Sequence, residues 1–85
     1  MQNEARIMTD EDTLELEESQ FVWVQFKNHG LYCMEIVGII KNDHFASYIQ
    51  YKTPNDYIEV DMRKNTCRLW TNQPTEEQMD EVEWE

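Results

Sequence analysis

Between Phe21 and Thr71, apolar runs alternate with short polar breaks, and the pattern recurs five times. Phe21-Val22-Trp23-Val24-Gln25-Phe26 is aromatic and β-branched, the composition that strands favour. Lys27-Asn28-His29-Gly30 follows as a hairpin connection, with Gly30 suited to a left-handed position. Leu31–Ile40 reads as a long second strand. Both of its faces are largely apolar, so it is expected to be central and covered on both sides. Gly38 inside it predicts a bend or bulge, which would let a small sheet curl.

After the turn Lys41-Asn42-Asp43-His44, residues Phe45–Lys52 form the third run. Thr53-Pro54-Asn55-Asp56 reads as a type I turn with Pro at its second position. Tyr57–Met62 alternates, with Ile58, Val60 and Met62 inward and Tyr57, Glu59 and Asp61 outward. Arg63-Lys64-Asn65 turns the chain again. Thr66–Thr71 closes the series, with Cys67 and Leu69 opposite Thr66, Arg68 and Trp70. Five strands joined by short turns predict a mainly β fold, an antiparallel meander able to curl into a small barrel.

The ends differ from this body. Residues 1–13 lack periodicity and are expected to be poorly ordered. Leu14 and Leu16 would suit a short edge strand, with a helical turn begun by Thr9 and carrying Asp10-Glu11-Asp12 as a slightly weaker alternative. At the other end, Thr75-Glu76-Glu77-Gln78 matches a capping box and predicts a short C-terminal helix. The expected organisation is an acidic start over 1–13, a β domain over 14–73, and an acidic helix or tail over 74–85.

Charge sharpens that division. The chain of 85 residues carries a net −11, and the excess sits at its two ends. Residues 1–18 hold seven acids against Arg6 alone, and residues 76–85 hold six acids and no base. Residues 19–75 hold five acids and six bases. Nucleic acid or an anionic membrane would repel such a chain, so neither is the expected ligand. The charge points instead to a basic protein.

Catalytic and cofactor chemistry find little support. His29 and His44 both fall in turns, and His29 is separated from Cys33 by a turn and the start of a strand. With two glycines in the chain there is no phosphate loop. Asp10-Glu11-Asp12 with Glu15 offers hard oxygen ligands but lacks the EF-hand spacing. Cys33 and Cys67 lack the close spacing of a zinc site and are too few for a disulfide framework. We therefore expect no enzyme, metal or cofactor. With no apolar leader or spanning run, a cytoplasmic setting is the default.

The acidic residues suggest mimicry of a nucleic-acid backbone. Acids two residues apart on an extended strand stand about 7 Å apart, close to the spacing of successive phosphates. The candidate partner-binding set is Glu15, Glu17, Glu18, Glu59, Asp61, Glu76, Glu77, Asp80, Glu81, Glu83 and Glu85, with Trp84 as an aromatic anchor among carboxylates. Glu59 and Asp61 are expected on the exposed face of a central strand. In overall composition the chain resembles the small acidic inhibitors that bacteriophages and mobile elements encode against nucleic-acid-binding host proteins. That resemblance implies an inhibitor of counter-defence type and carries no functional residue over. The alternative expectation is a small adaptor or assembly subunit that binds through a β-edge or aromatic face, its acids serving solubility.

Overall fold

A computed structural model describes residues 4–84. Five antiparallel strands form one sheet: β1 (Phe21–Phe26), β2 (Gly30–Lys41), β3 (Ala46–Lys52), β4 (Tyr57–Asp61) and β5 (Cys67–Trp70). Helix α1 (Asp10–Leu14) precedes them and helix α2 (Glu76–Glu81) follows. The spatial order is β4-β3-β2-β1-β5. The first four strands form the expected meander, and β5 returns to pair with β1.

That return forces the curl. In a flat sheet β4 and β5 would stand four strand spacings apart, about 19 Å at ~4.8 Å each. They are joined by a 3-10 turn, Met62–Lys64, and two further residues. Such a turn rises only about 2 Å per residue, too little to cross a flat sheet. Bending occurs along β2, whose first half (Gly30–Glu35) pairs with β1 and whose second half (Ile36–Lys41) pairs with β3. The register shifts between Ile36 and Gly38, where the bulge was expected, and again between Ile40 and Lys41. Gly38 also makes room for a neighbour: a Cβ there would overlap the Gln50 side-chain oxygen.

Local chemistry accounts for the connections. Asn28 (φ 66°) and Gly30 (φ 97°) supply the left-handed positions between β1 and β2. In the next turn the Asn42 side chain accepts from the amides of His44 and Phe45, which closes an Asx turn. Thr53 and Asp56 close the β3–β4 turn through Thr53 N–H to Asp56 C=O at 2.9 Å and Asp56 N–H to Thr53 Oγ1 at 3.1 Å.

The curled sheet encloses Val22 and Val24 of β1, Ile36 of β2, Ile49 and Tyr51 of β3, Val60 of β4, and Cys67 and Leu69 of β5. Leu16 and Ala46 complete this core. Tyr51 is fully buried, with its ring edge-on to Phe26 and its hydroxyl 3.9 Å from Met62 Sδ.

Three expectations change. Residues 7–13 belong to the folded body: Ile7 bridges Trp70, and Thr9 caps α1 through a full capping box with Asp12. Residues 1–3 lie outside the described residues. Leu14 ends that helix and is not part of a strand. Second, β2 is not covered on both faces. Only Ile36 is buried there, while Tyr32, Val37 and Ile40 are exposed. The strand covered on both faces is β5, all four of whose residues are buried, because the C-terminal segment folds over it. Third, Glu59 and Asp61 lie on an edge strand, since β5 takes the place beside β1 and leaves β4 outermost.

Ile36 stands at the junction of the two half-sheets with no exposed surface. Ile36→Ala should cost about 2–5 kcal/mol of unfolding free energy by the transfer and cavity terms together. Ile40→Ala, on the exposed part of the same strand, should change it by no more than about 0.5 kcal/mol. Urea melts of the two variants measure the contrast, and equal losses would place the core elsewhere.

Candidate functional site

Both acidic ends of the chain are fastened to β5. Arg6, Ile7 and Met8 run along its outer edge: Met8 N–H donates to Leu69 C=O at 2.8 Å, and Thr71 N–H donates to Arg6 C=O at 2.9 Å. Past Thr9, α1 leaves β5 and crosses to β3. There Thr13 Oγ1 accepts from Ala46 N–H at 3.0 Å. Lys41 Nζ donates to Leu14 C=O at 2.5 Å, which satisfies a carbonyl near the helix end.

The C-terminal segment lies over the outer face of β5, and one side chain holds it. Arg68 is buried at 8% exposure. Its Nε donates to Gln25 Oε1 at 2.8 Å, and its two terminal nitrogens donate to Val82 C=O at 2.9 Å and Met79 C=O at 3.0 Å. The Trp84 ring lies 4.3 Å from the guanidinium carbon and the Trp70 ring 5.5 Å. Gln25 Oε1 accepts a second bond from Trp70 Nε1 at 3.0 Å. Among the described residues no buried side-chain polar atom is left without a partner. Burial lowers the Arg68 pKa, yet a guanidinium stays protonated in any folded protein.

This clasp corrects an electrostatic weakness in α2. Glu76 and Glu77 suit the positive end of the helix dipole, and Thr75 and Gln78 form the capping box. The other end is mismatched, with Glu81 in the last turn and no basic residue. Arg68 brings the missing positive charge from the sheet and bonds two carbonyls there. A six-residue helix is too short to persist alone, so its order depends on this contact.

The twelve candidate residues fall into separate groups. Glu76, Glu77, Asp80, Glu81 and Glu83 are exposed on or next to α2. Trp84 is half-buried against Arg68, so part of its ring serves the fold. Glu85 lies outside the described residues. Glu15 is the C-cap of α1, and Glu17 and Glu18 form the turn into β1, so these three acids do not stand along an extended strand. Glu59 is exposed on β4 and accepts from Gln50 Nε2 at 3.1 Å. Asp61 is engaged internally: it accepts from the Arg63 amide at 3.0 Å and pairs with the Arg63 guanidinium at 2.9 Å. The Arg63 guanidinium in turn lies 4.9 Å from the centre of the Tyr48 ring and bonds its hydroxyl. Ile7 from the N-terminal segment and Val82, Glu83 and Trp84 from the C-terminal segment border one cleft, together with Asn65 and Arg68, and none of the N-terminal candidate acids lines it.

No protein-family model, curated protein or solved structure matches this chain.

The other chemistry-bearing groups stay apart. No three His, Cys, Asp or Glu side chains converge on a possible metal position among the described residues. Cys67 is buried against Met62 and its thiol is pushed up to about 11, whereas Cys33 is exposed. A larger cleft of about 450 Å³ lies between α1, the 3-10 turn and β5, bordered by Met8, Phe45, Met62 and Leu69. Among the described residues no helix is long and apolar enough to cross a membrane. Arg68 and Gln25 carry the site without having stood out as candidates. The signal available was Arg68 in register with Trp70 on the strand face away from Cys67 and Leu69.

Two outcomes test this arrangement. Arg68→Ala should cost about 2–4 kcal/mol, since it strands two carbonyls and leaves Gln25 Oε1 with the Trp70 bond alone. Arg68→Lys should restore only part of that, because an ammonium cannot reproduce the planar fork. Denaturant melts measure the loss, and tryptophan fluorescence reports release of Trp84. An unchanged α2 in Arg68→Ala would show that the clasp is dispensable. At the N-terminal end, the Arg6 guanidinium (2.6 Å) and the Thr9 amide hold the Asp12 carboxyl at about 2. A lowered folded pKa stabilises fully above the ordinary value of 3.8 and is lost as pH falls through about 2. The Thr9 amide resonance should therefore titrate near 2, and a midpoint near 4 would mean the pair is open in solution.

Proposed function

We propose that this protein is a non-enzymatic binding protein whose acidic surface occupies a basic, nucleic-acid-binding groove of a partner protein. The observation that carries this reading is α2 itself. Glu76 and Asp80, and Glu77 and Glu81, are four residues apart on the helix and exposed. Such pairs have their Cβ atoms about 5–6 Å apart, so four carboxylates cover one short face. They repel one another, and no basic residue of α2 relieves them. Arg68 keeps the helix docked in spite of that repulsion. Pre-ordered charge loses less entropy on binding than charge on a loose tail. Glu83 follows on the same clasped segment.

A groove built for phosphates offers Lys and Arg side chains to such a face, and the attraction is long-ranged and weakened by salt. Occupying the groove would exclude nucleic acid by competition. Counter-defence proteins of bacteriophages and mobile elements are the setting in which a small acidic competitor of this kind is useful.

Immobilised protein should retain, from an extract of its native cell, a basic nucleic-acid-binding protein that elutes as salt rises. Soluble protein should displace nucleic acid from that partner. Reversing Glu76, Glu77, Asp80 and Glu81 to Lys should abolish both effects. Retention that ignores salt and charge reversal would sink the reading.

A further inference from the structure

The sheet has two edges, and they are treated differently. Residues 6–8 close the β5 edge with backbone hydrogen bonds. Beyond β4 there is no further strand among the described residues. An edge strand presents a row of unpaired N–H and C=O groups, which makes it a template for an incoming strand.

The side chains of β4 state what kind of strand would fit. Ile58 pairs across the sheet with buried Tyr51, and Val60 pairs with buried Ile49, so both belong to the core face. Val60 is covered, but Ile58 remains 38% exposed: the core stops short at this edge. On the opposite face Glu59 is exposed, and Tyr57 beside it is 52% exposed. A sixth strand with apolar residues on one face would extend the core past Ile58. Its other face would come to lie beside Glu59, where Lys or Arg would be favourable and acids would not. Self-pairing is opposed for the same reason, since it would join two edges carrying Glu59 on molecules of net charge −11.

We propose that the β4 edge accepts an extended segment of the partner protein, alternating apolar and basic residues, as a sixth antiparallel strand. This rests on the reading that the partner is basic, and it supplies a second contact on a different part of the sheet from α2. Main-chain hydrogen bonds would give this contact its affinity, and the alternation would give its selectivity.

The probe is a ten-residue peptide alternating lysine and valine, compared with the same peptide methylated at every backbone nitrogen. Both carry the same charge, but only the first can donate to a sheet edge. The unmethylated peptide should slow amide exchange at alternate positions within 57–61 by about tenfold, as closure of an edge implies. The methylated one should leave those amides unchanged. Glu59→Lys should weaken the first peptide, and the fourfold Lys variant of α2 should still show slowed exchange on β4. If both peptides act alike, or if protection falls outside β4, the edge is not a docking site. Failure of the unaltered protein to displace nucleic acid from its partner, with β4 protection retained, would fault the reading of α2 and spare this one.

Discussion

The fastening of Arg68 to the C-terminal segment is the contact on which the acidic surface depends. A guanidinium buried within a sheet face is expensive unless its nitrogens find acceptors. Here the acceptors are backbone carbonyls at the end of α2 and the amide oxygen of Gln25, with indole faces around them. The helix end supplies negative potential without a formal charge, and the arginine supplies the positive potential that the helix lacks. Each group resolves the other's electrostatic problem. The result is a third layer on β5, which explains why an edge strand of four residues is buried on both faces.

The same strand organises the rest of the molecule. Because β5 pairs with β1, a short 3-10 turn must connect opposite edges of the sheet, and the sheet must curl. The bulges in β2 concentrate that bending where Gly38 lets the Gln50 side chain cross. Residues 6–8 then find a free edge on β5. Curl, core closure and the docking of both ends are thus successive consequences of where the last strand goes.

The strands were legible because their signals are local. Alternation in Tyr57–Met62, the aromatic run of Phe21–Phe26 and the turn chemistry of Thr53–Asp56 each act within a few residues. The capping box at Thr75 was legible for the same reason. Strand order was not, because nothing near Cys67–Trp70 states which edge it will join, and the position of Glu59 and Asp61 followed from that order. The cover of β2 is not legible because apolar character on two faces says nothing about which layer arrives. The role of Arg68 is hidden in the sequence because a charged residue in an alternating strand reads as solvent-facing. Its acceptors are main-chain carbonyls, which leave no trace in side-chain identity. Of the candidate surface, the acids of α2 were readable, while the device that orders them was not.

Arg68 is held by dipoles and rings, so its fastening consumes no carboxylate. Had a glutamate closed the clasp, that residue would have been fixed by the needs of folding. As built, no exposed acid of α2 is an acceptor in the joint beneath it. Selection on the outward surface and selection on the architecture act on different residues. Such a scaffold can change the charge pattern of its surface while its fold stays constant.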